Sequence, residues 1–198
     1  MIRIIDYKAG NAPSVLNAIN RLASRGEPLS FGLGGGSGGC QYVADFARSA
    51  QDLDDVTHII LPGVGSAKAT MISLREMELI SVLEDKVLRN GVPFLGICVG
   101  MQILFEHSEE GDTNCLGWLK GKVVKFDSSK VRVPQMGWNK VWDDYFYFVN
   151  SYYAKPKTKA MCGGLPIITA RLPPPSAEKT FTERSFISKK AARQDFFA

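Results

Sequence analysis

Apolar and polar positions alternate along this chain in two regimes that change near Gly117. In the first, Ile2–Asp6 is a β-rich apolar run that predicts a buried strand, and Ala12–Ala23 places Val15, Leu16, Ile19 and Leu22 on one face of a helix. Cys40–Val43 predicts a second strand. Thr57–Leu61 predicts a third, running into the turn Pro62-Gly63-Val64-Gly65, and Ala67–Asn90 one or two helices ending before Gly91. Pro93–Ile97 follows as a strand and Val99–His107 as a helix. Such alternation implies an α/β fold, a parallel sheet covered by helices on both faces, with ligands at the carboxyl ends of its strands. Gly63 and Cys98 both fall at such ends and so share one pocket. In the second regime, Val123–Phe126, Val131–Pro134 and Tyr145–Tyr152 read as strands joined by short turns, an antiparallel extension. Trp138, between the last two, reads as a core aromatic.

Composition narrows the setting. At 198 residues and 45% hydrophobic content the chain can bury one full core. It has no membrane-spanning apolar window and no signal-peptide layout at Met1–Gly10, which implies a cytoplasmic protein. Cys40, Cys98, Cys115 and Cys162 are scattered without a C-x-x-C pair, so neither a zinc site nor a disulfide framework is expected, and any functional cysteine acts alone. The net charge of +4 comes largely from the last forty or so residues and does not point to nucleic acid.

One segment carries specific chemistry. In V-P-F-L-G-I-C-V-G-M-Q, Cys98 stands between Gly96 and Gly100 directly after an apolar run. Two glycines permit the sharp strand-to-helix turn that lifts a nucleophile above a sheet. At a helix start, unpaired N–H groups and the helix dipole favour the attacking thiolate. A small buried cysteine between glycines is the plain alternative.

Further segments break that tie. Ile5–Asn11 (I-D-Y-K-A-G-N), Leu61–Gly65 (L-P-G-V-G), Gly96–Gln102 (G-I-C-V-G-M-Q), Pro134–Asn139 (P-Q-M-G-W-N) and Tyr147–Tyr153 (Y-F-V-N-S-Y-Y) stand in the order seen in class I glutamine amidotransferases. Among these the chain resembles the glutaminase subunits of imidazole glycerol phosphate synthase, over residues 1–23 and 40–160. The resemblance implies a flavodoxin-like sheet and a nucleophile, Cys98, that attacks the glutamine side-chain amide to give a glutamyl thioester and ammonia. It implies an oxyanion strand at Gly63, Val64 and Gly65, and glutamine-binding positions at Gly96, Gln102, Ser151 and Tyr152; for the last two, ordinary strand pairing is the alternative. It also implies a heterodimer with a (β/α)8-barrel synthase subunit that receives the ammonia for histidine biosynthesis. Asn11, Trp138 and Asn139 fall in segments resembling the surface that faces that subunit. No cofactor or metal is implied.

The chemistry also needs a base beside Cys98, and the family's late Q-F-H-P-E-K-S motif is absent. The chain has two histidines: His58, opening a strand, and His107, which reads as the dipole-favoured end of the helix after Cys98. Met161–Ala198 shows neither strand alternation nor a helical pattern. Codons that permit these residues, read one nucleotide earlier, admit D-V-W-G-V-T-D-Y-N-G-E from Ala160 and N-I-Y-G-T-Q-F-H-I-E-K-S-G-T-A-G-L-L from Lys179. Phe186 followed by Ile187 leaves Tyr or His in that frame. The expected organisation is therefore an amidotransferase domain over 1–160 and an out-of-frame, mobile tail over 161–198. The glycine-rich insertion 24–39 resembles a flexible linker and lacks the Lys-Ser/Thr of a P-loop. Residues are also expected to be missing between Val141 and Asp144. Three readings follow: a glutaminase subunit by descent, an inactive amidotransferase-like protein that at most binds glutamine or a partner, or another cysteine hydrolase of the same superfamily with His107 or an unrecognised base serving Cys98.

Overall fold

A computed structural model describes residues 1–8, 11–24, 43–141, 144–157 and 169–172. In chain order the elements are β1 (Ile2–Ile5), α1 (Ala12–Ser24), β2 (Ala44–Ala47), β3 (His58–Leu61), α2 (Ala67–Glu76), α3 (Leu79–Glu84), β4 (Phe94–Ile97) and α4 (Val99–Gln102). Then come β5 (Phe105–Ser108), β6 (Thr113–Asn114), β7 (Leu119–Lys125), β8 (Gln135–Val141), β9 (Asp144–Asn150), β10 (Tyr152–Pro156) and β11 (Thr169–Leu172). The insertion beyond Ser24 and the tail, apart from β11, lie outside the described residues, as do 142–143 at the expected deletion.

The main sheet has the order β11-β4-β3-β1-β2; β1 to β4 are parallel and β11 runs antiparallel to β4. Its central strands β3 and β4 are buried on both faces, as a covered parallel sheet requires. Ile4, Ile60 and Leu95 pack with Val15 and Ile19 of α1 on one face. Ile5, Ile59, Leu61 and Phe94 pack with Met71, Leu74, Leu79 and Leu83 of α2 and α3 on the other. The break between α2 and α3 sits at Glu78, whose φ of 55° is left-handed. A second sheet, β10-β7-β5-β6, and a separate β8-β9 hairpin form the extension.

Several sequence expectations are corrected. The second strand is Ala44–Ala47 rather than Cys40–Val43: Val43 precedes it and residues 40–42 lie outside the described part. Val99–His107 is not one helix. A single turn, α4, gives way to β5, because Phe105 is fully buried and pairs with Leu119 of β7. His107 is thus a strand residue with no helix dipole to favour it. Val131–Pro134 is a loop, Pro134 having no N–H to give a ladder, and the strand begins at Gln135. Trp138 is 65% exposed, on the open face of a hairpin rather than in the core. In the tail, Thr169–Leu172 does form a strand, pairing Thr169 with Ile97 and Leu172 with Phe94 on the free edge of β4.

Candidate active site

Adjacent parallel strands β3 and β4 deliver the Gly63 turn and Cys98 to the same end of the sheet. Gly63 and Gly100 hold the two segments in contact. A Cβ on Gly63 would overlap the Gly100 amide nitrogen, and one on Gly100 would overlap the Leu61 carbonyl oxygen. Gly96 is as confined: its Cβ would lie 2.6 Å from the Gly100 oxygen and 2.7 Å from Met101 Cα. Only glycine lets strand, elbow and turn approach this closely.

Cys98 has φ 52° and ψ −115°, a sparsely populated conformation that costs of order 1–3 kcal/mol and persists only where neighbours enforce it. This is the nucleophile-elbow geometry, and it leaves Cys98 solvent-accessible. The Cys98 carbonyl still accepts from the Met101 and Gln102 amides at 3.0 Å, starting the helical turn.

The surroundings of the thiol act on it in both directions. Desolvation by the surrounding elbow pushes the Cys98 thiol above its ordinary value; the Val99 amide pulls it down, and the Glu110 charge raises it further. A four-residue α4 supplies too little dipole to reverse this. Among the described residues no side chain hydrogen-bonds the thiol. His107 instead meets Asp112, Nε2 to Oδ1 at 2.9 Å, and His58 sits at the opposite end of β3 from Gly63, with Nδ1 3.1 Å from Thr57 Oγ1.

In the turn after β3 Gly63 is buried, while Val64 and Gly65 are exposed. Gly65 has φ 102° and open space where a Cβ would be, a left-handed backbone that glycine adopts without strain. Ser66 caps α2 by accepting from the Ala69 amide at 3.2 Å. Gln102 is buried and donates from Nε2 to the Tyr152 carbonyl at 3.4 Å, which ties the elbow to the start of β10. Tyr152 pairs with Lys125, and the Ser151 carbonyl accepts from the Phe126 amide at 3.0 Å. The elbow thus touches both the Gly63 turn and the start of β10. Asn11 is exposed at the start of α1, and Trp138 and Asn139 lie on the hairpin.

Two contributors escaped the sequence reading. The Tyr7 hydroxyl lies 3.5 Å from Thr70 Oγ1; both residues are buried, and burial raises the Tyr7 pKa. Tyr7 stands in the D-Y-K-A-G-N segment, a usable signal. Glu110 accepts the Ala67 amide at 2.8 Å and arrives from a loop whose composition announces only a turn.

Residues 41–160 match the family described as "Glutamine amidotransferase class-I". The chain is similar to "Imidazole glycerol phosphate synthase subunit HisH" of Leptospira interrogans, 37% identical over 170 residues covering 77% of this chain and 74% of that protein. The Geobacillus thermodenitrificans protein of the same name is 39% identical over 174 residues, 79% of this chain and 73% of that protein. The Herpetosiphon aurantiacus one is 36% identical over 208 residues, 98% and 89%. A solved structure described as "Crystal structure of glutamine amidotransferase" superposes with a TM-score of 0.62 at 16% identity, covering 85% of this chain and 83% of that one, a likeness of fold.

Proposed function

This chain belongs to the class-I glutamine amidotransferases, in their HisH-like branch, and on that premise we propose that it is by descent the glutaminase subunit of an imidazole glycerol phosphate synthase, with the substrate site retained and the base lost. The observation that carries this is Cys98, held at φ 52° on an elbow locked against the Gly63 turn.

In the proposed reaction the Cys98 thiolate attacks the side-chain carbonyl of glutamine. Gly63, Val64 and Gly65 contribute the backbone donors to the developing oxyanion; one such donor typically lowers the barrier by a few kcal/mol. Collapse expels ammonia, which must take up a proton, and leaves a glutamyl thioester that water hydrolyses to glutamate. Gly96, Gln102, Ser151 and Tyr152 hold the substrate. The ammonia passes to a (β/α)8-barrel synthase subunit docked over Asn11, Trp138 and Asn139. Met136, Trp138, Tyr145 and Val149 share one face of the hairpin by their register, and all are more than half exposed. A two-stranded hairpin with such a face gains stability from a cover.

Thiolate generation and proton delivery need a base that neither His58 nor His107 provides, and the reading that places it in the alternative frame of the tail accounts for its absence. The chain therefore binds glutamine and the synthase subunit without appreciable turnover. Titrating it with the synthase subunit of a relative, while following complex formation and glutamate release, tests both parts. A complex weakened at least about tenfold by Trp138→Ala, with negligible glutamate, is expected. Turnover near that of an intact homologue overturns the loss of the base, and no complex overturns the partner.

A further inference from the structure

Glu110 joins the two halves of the candidate site. It follows Cys98 by a strand and a turn, and that turn fixes its backbone: its amide donates to Ser108 Oγ at 3.2 Å and its carbonyl accepts the Thr113 hydroxyl at 3.0 Å. Its Oε2 then accepts the amide of Ala67, the fully buried first residue of α2, at 2.8 Å. This is a charge-assisted bond to an otherwise orphan helix donor. Behind it, the buried Thr70 hydroxyl donates to the Ser66 carbonyl at 3.1 Å and meets Tyr7. The oxyanion turn is thus pinned at both ends, at Gly63 by the Gly100 backbone and at Ala67 by Glu110. Between the pins only Val64, Gly65 and Ser66 remain.

We propose that Glu110 is a positioning residue: its carboxylate, bonded to the Ala67 amide, sets the oxyanion turn against the Cys98 elbow. The assignment rests on reading Gly63–Gly65 as the oxyanion donors. The acceptor function and the charge have separate consequences. The acceptor fixes the turn, and the charge opposes thiolate formation at Cys98.

Glu110→Gln keeps an acceptor and removes the charge, whereas Glu110→Ala removes both. In the full chain, exchange of the Ala67 amide and the pH midpoint of Cys98 alkylation by iodoacetamide, read on the Cys98 peptide, separate the two effects. Cys115, whose thiol burial raises to about 11, is the slow internal control. Exchange at Ala67 should accelerate roughly tenfold in Glu110→Ala and stay near the parent rate in Glu110→Gln, while the midpoint falls in Glu110→Gln. Unchanged exchange in a folded Glu110→Ala overturns the proposal. If that variant fails to fold, Glu110→Asp decides: the shorter carboxylate keeps the charge and gives up the bond, so accelerated exchange at Ala67 supports the proposal and parental exchange overturns it. Neither readout consumes glutamine, so a failure of the glutaminase reading shows in glutamate release and partner binding and leaves these measurements standing.

Discussion

At Gly100 a side chain has no room. An added Cβ would overlap the Leu61 carbonyl oxygen and lie 3.0 Å from its carbon and 3.2 Å from Leu61 Cγ. The first two are backbone atoms of a central strand, which cannot swing aside as a flexible side chain does. Gly100→Ala should therefore cost about 1–3 kcal/mol, read from the denaturant midpoint, by prising the oxyanion turn from the elbow. An unchanged midpoint would mean that β3 and the elbow are not in contact. This constraint was legible in the sequence, because G-x-C-x-G is the spacing an elbow demands. The state of the Cys98 thiol was not legible, because it depends on surroundings that arrive from elsewhere in the chain: the desolvating walls and Glu110. Trp138 was misread for a related reason. Aromatic residues are usually buried, and nothing in M-G-W-N says that the hairpin carrying it has an open face.

Among the elements, β5 departs most from its sequence pattern. I-L-F-E-H-S continues the helical spacing after Cys98, yet pairing with β7 and β6 overrides it. Glu106 strengthens that pairing. Its carboxylate accepts from the Gly121 amide at 2.9 Å, from Lys157 Nζ at 3.0 Å and from Lys120 Nζ at 3.1 Å, binding β5 to β7 and to the residue that follows β10. The Gly121 amide first, then the two lysines, draw its pKa from the ordinary 4.5 to about 2. A carboxylate whose folded-state pKa lies below its unfolded value contributes stability that is complete above the unfolded pKa and lost as pH falls towards the folded one. Melting temperatures of the parent should therefore drop between pH 4.5 and about 2, more steeply than those of Glu106→Gln. Added salt should shrink the lysine share and spare the Gly121 bond. Parallel slopes in parent and variant would show that Glu106 carries no such linkage. The parallel strands and α1 were legible because their apolar periods agree with their packing: Val15, Ile19 and Leu22 are buried as spaced. β2, β5 and β8 were displaced where pairing partners outweighed local pattern.

The architecture of the whole chain sets where a base must come from. His58 opens β3, so the rise of that strand alone separates it by roughly 10 Å from the end that carries Gly63. His107 is engaged by Asp112. In the tail, β11 lies beside β4: Thr169 pairs next to the elbow and Leu172 at the far end, so β11 runs away from Cys98. A strand pairing after β11 in antiparallel fashion would run back towards the end of the sheet that carries Cys98. On the proposed out-of-frame reading, codons for the tail admit N-I-Y-G-T-Q-F-H for that return segment, ending on a histidine, with a glutamate two residues on. If the proposed frame change is real, restoring the frame after Ala160 should thus supply a histidine and a glutamate at that end of the sheet. A positioned acid–base residue contributes about 10²–10⁴-fold, so glutamate release with the synthase subunit should rise by that order and vanish again in Cys98→Ser. A restored chain that folds, binds the synthase subunit and still releases no glutamate would show that the base was never the missing element, and a gene whose other frame does not encode Q-F-H-I-E-K-S would remove the premise.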